Sequence, residues 1–212
     1  MNHVMLDIDG TLVYTDDFEG DCYNDAIYKV FGNTIDTDWS KYTHVSATGI
    51  LNEVIIKHGF KNDKGSIHAA VKEQYMQNIA KYINKYPVKQ ISGAGKFIEL
   101  LQKTKGIHLS IATGGWKETA IMKLQSANID VSNIPIASSN DHFSRIEIMK
   151  IAKEKAIGNF EMPCTYFGDG IWDKMACEAL GFNFVLVGDK TTHNQKILDF
   201  RRPEQAMSYI GV

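Results

Sequence analysis

Short apolar runs that end abruptly in polar turns recur along the chain: VMLDID at 4–9, IHLSIATGG at 107–115, IPIASS at 134–139, CTYFGDG at 164–170 and FNFVLVGD at 182–189. Runs of this length, bounded by glycine and acid turns, predict buried strands, and the segments between them carry the spacing of amphipathic helices. Parallel neighbours need a crossover connection. Strand then helix, repeated from residue 107 onward, therefore predicts a doubly wound parallel sheet, a Rossmann-like α/β core in three layers. Such folds bind ligands at the carboxyl ends of their strands.

One stretch breaks the alternation. Between about Tyr14 and Pro87 nothing reads as a buried strand; NDAIYKVFG, ILNEVIIKHG and SIHAAVKEQYMQNIAKYINKY read as helices, with Gly32, Gly49, Gly59 and Gly65 near places where the periodicity stops. This divides the chain into an α/β core at 1–14 and 88–212 and an inserted helical unit at 15–87. A core helix follows Gly95, with Phe97, Leu100 and Leu101 on its buried side, and the last two dozen residues read as a loop and a final helix. Ser92-Gly93-Ala94-Gly95-Lys96 resembles a nucleotide-binding loop only superficially, because Gln90 and Phe97 stand where that motif needs glycine and a hydroxyl.

Composition narrows the function classes. A chain of 212 residues, 44% of them hydrophobic, is long enough for one core and a modest insertion. Its net charge of −2 and pI of about 6.4 supply no basic field for a nucleic-acid backbone. No apolar run approaches a membrane span, and Asp7 and Asp9 interrupt the N-terminal segment where a secretory signal needs continuous apolar residues, so a cytoplasmic protein without membrane contact is expected. Cys22, Cys164 and Cys177 are odd in number and far apart, which disfavours a disulfide framework or a thiolate metal site, and the scattered histidines form no ligand pair.

The chemistry concentrates at strand ends. Asp7 and Asp9 close the first run just before Gly10; two apart on a strand, they share a face, although Asp-Gly also serves as a plain turn. Phe167-Gly168-Asp169-Gly170-Ile171-Trp172-Asp173 repeats the arrangement, with Asp169 in a loop and Asp173 in the first helical turn, where a capping role is the alternative. Four carboxylates at one sheet edge would repel one another unless a cation neutralised them, and oxygen donors without sulfur or paired histidine point to Mg2+. Thr113-Gly114-Gly115 offers a hydroxyl and backbone amides suited to an anion, or simply a turn. Arg145 heads a helix, a poor place for a cation on dipole grounds; it would serve a phosphoryl group or pair with Glu147 or Asp141, and Lys150 is its rival.

In order, Asp7-Ile8-Asp9-Gly10-Thr11, Thr113-Gly114, Arg145 and Gly168-Asp169-Gly170-Ile171-Trp172-Asp173 resemble the four motifs of the haloacid dehalogenase superfamily, across nearly the whole chain. The resemblance implies a phosphatase acting on a small phosphorylated metabolite, with residues 15–87 as a helical cap. It implies Asp7 as nucleophile forming an aspartyl-phosphate, Asp9 as proton shuttle whose backbone carbonyl touches the metal, and Asp169 and Asp173 as further metal-site acids. Thr113, Gly114 and Arg145 would stabilise the phosphoryl oxygens. Asp9 argues against dehalogenation, since dehalogenating members lack an acid there. A phosphomutase remains the enzymatic alternative and a phospho-aspartate switch the non-enzymatic one. In the insertion, Thr48 and Gly49 match the family's cap loop facing the active site, and Tyr23, Trp39, Tyr42, His44 and Tyr75 have core packing as their default.

Overall fold

The first apolar run forms β1 (Asn2–Leu6), with Val4, Met5 and Leu6 shut off from solvent. A strand buried on both faces can be continuously apolar, and β1 is one because it lies in the middle of the sheet. The computed structural model describes residues 1–15, 18–59 and 64–211. Its remaining strands are β2 (Ile107–Ala112), β3 (Ile136–Ala137), β4 (Cys164–Gly168), β5 (Asn183–Val187) and β6 (Lys196–Ile197). All pair in parallel, in the order β3-β2-β1-β4-β5-β6. The chain winds outward in both directions from β1, so the switch point falls between β1 and β4. The expected α/β fold is present. The sixth strand, in the tail read as loop and helix, is only two residues long, too short to show a period.

The helices are α1 (Glu19–Phe31), α2 (Ala47–Lys57), α3 (Lys64–Lys85), α4 (Ala94–Lys103), α5 (Lys117–Ser126), α6 (Arg145–Ile157), α7 (Ile171–Leu180) and α8 (Pro203–Ser208). Helices α6 and α7 cover one face of the sheet, over Met5, Tyr166 and Phe184. The other face carries Phe97, Phe167 and Phe200, with the rings of Phe97 and Phe200 stacked at 4.8 Å. Truncating one such ring to alanine costs about 3–5 kcal/mol. In α4, Phe97, Ile98 and Leu101 are buried while Leu100 is exposed, so the buried side is rotated from the one expected.

Helices α1, α2 and α3 fall in the stretch expected to form an inserted helical unit, with α1 packed along α3 and a short 3-10 turn at Trp39–Lys41 before α2. Gly32 and Gly59 end helices in left-handed conformations, whereas Gly49 and Gly65 lie inside the first turns of α2 and α3. Gly49 marks crowding: a Cβ there would lie 2.5 Å from the carbonyl of His44. The two chain segments entering and leaving the unit run side by side, Tyr14 donating to the Lys89 carbonyl and Ile91 to that of Leu12 (2.9 and 2.8 Å). Among the described residues no helix is long and apolar enough to cross a membrane.

Candidate active site

Asp7 is the first residue beyond β1, and its amide donates to the Phe167 carbonyl of β4 at 2.9 Å. Asp169 is the first beyond β4, and the pairing of Leu6 with Phe167 sets these strand ends side by side. Asp173, one turn later in α7, accepts from the Gly170 amide and the Tyr166 hydroxyl, both at 3.1 Å. Asp173 therefore does cap its helix and also faces the other acids. One oxygen from each of Asp7, Asp169 and Asp173 lies within 4.8 Å of the others, and all three residues are buried.

Arg145 reaches the cluster from the start of α6. Its Nη1 lies 3.0 Å from Asp173, 3.4 Å from Asp7 and 3.3 Å from the Tyr166 hydroxyl. The surface partners considered for it are taken by others: Glu147 by the exposed Lys150 at 2.8 Å, and Asp141 by Lys155 at 2.7 Å. Lys150 stays outside. Burial disfavours the Arg145 charge, yet Asp173, Tyr166 and Asp7 outweigh it and hold the guanidinium firmly protonated. Among the described residues its buried Nε has no hydrogen-bond partner, an unmet donor that an anion in the site would satisfy.

Burial and then Asp173 push the Asp7 carboxyl well above the usual range, with Arg145 pulling the other way. Asp169 is pushed up to about 7, by burial and Asp173 against the opposing ammonium of Lys190, which sits 2.6 Å away. Positive charge brought among these acids lowers every one of these values. The donor set is oxygen only, compact and acidic, which fits a hard divalent ion.

Thr113 follows β2 directly and is buried; its Oγ1 accepts from the Gly115 amide at 3.1 Å, leaving its own hydroxyl proton to donate elsewhere. At Gly114 a Cβ would lie 2.7 Å from Arg145 Nη2 and 3.0 Å from the Val45 carbonyl, so a side chain here would crowd the guanidinium and the Val45 backbone. The carboxylate of Asp9 parts from the other three acids. Its Oδ1 pairs with Lys123 of α5, which also holds Glu19 at 2.6 Å, and Tyr75 donates to Glu19 at 2.8 Å. Three carboxylates gather at the cation-sized locus, and the fourth belongs to a separate network. Burial and Glu19 raise Asp9 to about 6, against the pull of Lys123.

A cavity of about 150 Å³ opens over these groups, with Asp7, Asp9, Thr113, Gly114, Arg145 and Asp169 on the core side and Glu19, Tyr23, Trp39, Ile50 and Tyr75 on the helical side. Tyr42 and His44 do not line it, nor do Thr48 and Gly49. Thr48 instead clamps the core: its amide and hydroxyl bond Ser139, both at 2.8 Å, and it accepts from the Trp116 indole at 3.0 Å. Sequence reasoning missed Lys123, Glu19, Tyr166 and Lys190. For Lys123 a signal existed: it interrupts the buried stripe of Thr119, Ala120 and Leu124 on α5.

A doubly wound sheet with buried acids at its switch point, facing a cavity, defines an α/β enzyme core rather than a binding scaffold. The haloacid dehalogenase-like hydrolase model matches residues 4–187, and the chain belongs to that family. Among solved structures it resembles a hydrolase from Pseudomonas syringae at 18% identity, covering 92% of this chain and 88% of that one with a TM-score of 0.71. It also resembles CbbY from Rhodobacter sphaeroides in complex with phosphate, at 15% identity, 99% of each chain and a TM-score of 0.71. A third is an archaeal beta-phosphoglucomutase from Pyrococcus sp. Strain ST 04, at 21% identity, 100% and 99% coverage and a TM-score of 0.59. At these identities the likeness is one of fold. No curated protein matches the chain.

Proposed function

We propose that the protein is a magnesium-dependent phosphatase that hydrolyses the phosphate monoester of a small metabolite through phosphorylation of Asp7. The observation that carries this reading is the meeting of Asp7, Asp169 and Asp173 with Arg145 at the ends of β1 and β4. Asp7, Asp169 and Asp173, with the backbone carbonyl of Asp9, would hold the ion. When bound, it would neutralise the acid cluster and draw charge from the phosphoryl oxygens.

An Asp7 carboxylate oxygen attacks phosphorus as the bond from phosphorus to the ester oxygen breaks, and Asp9 gives its proton to the departing oxygen. Asp9, now a carboxylate, takes a proton from the water that attacks the phosphorylated Asp7, which frees phosphate and restores both acids. Throughout, the Thr113 hydroxyl, the Gly114 backbone and Arg145 stabilise the transferring oxygens. Residues 15–87 act as a cap whose Tyr23, Trp39 and Tyr75 face the organic part of the substrate. Its paired connecting segments at 12–14 and 89–91 are suited to a hinge.

The test is phosphate release from a panel of monoesters. The reading expects release that needs magnesium and disappears in Asp7→Asn; release that survives chelation, or that Asp7→Asn retains, contradicts it.

A further inference from the structure

Among the described residues, Lys123 is the only lysine with no solvent exposure. Burying an ammonium is costly unless it is paired, and a leucine in the same stripe would pack there without that penalty. What the lysine adds is geometry. Its Nζ touches Asp9 Oδ1 on one side and Glu19 Oε1 on the other at 2.6 Å, and the Tyr75 hydroxyl donates to the same Glu19 oxygen at 2.8 Å. A continuous chain of polar contacts thus runs from α3 through α1 to α5 and ends on Asp9.

A carboxylate held by one oxygen has its other oxygen fixed as well. At Asp9 that second atom, Oδ2, lies on the Gly115 side, 3.5 Å from where a Cβ of Gly115 would stand, and both residues line the cavity. We infer that Lys123 is a positioning residue: by gripping Oδ1 of Asp9 it aims Oδ2 at the leaving oxygen, and Glu19 and Tyr75 make that grip depend on the seating of the helical unit. This rests on the phosphatase reading, in which Asp9 delivers the proton. A displaced proton donor loses much of its effect, since misplacement by about 1 Å costs on the order of 100-fold in rate.

The test compares kcat/KM of the full chain, with magnesium, on p-nitrophenyl phosphate, whose leaving group departs as a stable anion, and on glucose 6-phosphate, whose alkoxide leaving group needs the proton. In Lys123→Met the sugar ester is expected to fall about 100-fold and the nitrophenyl ester less than about threefold. Lys123→Arg, which keeps a charge beside Asp9, should restore most of the lost ratio. Equal losses on both esters, or no loss on either, in a protein that melts cooperatively would overturn the inference. Should Lys123→Met not fold, Glu19→Gln takes away one of the two holders of Lys123; a ratio lowered several-fold supports the inference and an unchanged ratio overturns it. If the wild type cleaves neither ester, or Asp7→Asn cleaves them equally well, the phosphatase reading itself has failed, and that result does not involve Lys123.

Discussion

Asp7 and Asp9 are separated by one residue and live in opposite electrostatic settings. Around Asp7, three buried acids face one buried guanidinium, with Lys190 at the rim, and the group is left short of positive charge. Around Asp9, two acids share one buried ammonium and a tyrosine hydroxyl, and each member has a partner. The first cluster is unfinished without a ligand; the second is closed within the fold. Removing charge should therefore cost the first its chemistry with little loss of stability, and the second its stability together with the aim of Asp9.

The largest effect is expected at Asp7. Asp7→Asn should lower kcat/KM by at least about 10⁴-fold while leaving the melting temperature unchanged or raised, because the amide removes a repelling charge. Lys123→Met should do the reverse in stability. It leaves the partly buried carboxylates of Asp9 and Glu19 without their shared cation, a loss of about 2–3 kcal/mol in urea unfolding once solvent screening is allowed for, and a stability like the wild type's would show that the second cluster is not closed. Magnesium sharpens the contrast: at about 100 times its dissociation constant it should add roughly 2.7 kcal/mol to the wild type, and far less to Asp169→Asn.

The smallest effect lies at the other end of β1 and shows what burial does to a group with no opposing charge. His3 is fully buried between Ser110 Oγ at 2.8 Å and Cys164 Sγ at 3.3 Å, and burial, then Lys153 and His108, lower its pKa from 6.5 to about 4. The fold holds the neutral ring, so this stability is complete above pH 6.5 and drains away as the pH falls toward 4. By pH 4.5 the loss should approach about 2.5 kcal/mol. Urea titrations at pH 7 and 4.5 should show that extra acid sensitivity in the wild type and not in His3→Gln; equal pH dependence would sink the assignment.

The acid cluster was legible in the sequence because Asp7 and Asp169 each follow an apolar run, with Asp173 one helical turn beyond the second, and central strands of a parallel sheet advertise themselves by being apolar throughout. Knowing that Asp7 and Asp169 both end such runs is nearly enough to place them together. The partners of Asp9 were not legible, since Glu19 and Lys123 come from different helices and Lys123 reaches Asp9 across 114 positions of sequence. Only the third dimension pairs them. The same holds for Thr48, where a motif-like position proved to be a clamp on Ser139, and for β6, which gains its strand character from its neighbour β5.

The central claim is that Asp7 carries the phosphoryl group, and the most direct measurement is peptide mass analysis of enzyme quenched in acid during turnover of a monoester with magnesium. The account predicts a peptide containing Asp7 that is heavier by one phosphoryl group in the wild type and unmodified in Asp7→Asn. A wild type that turns over without the adduct, or carries it on another residue, would contradict it.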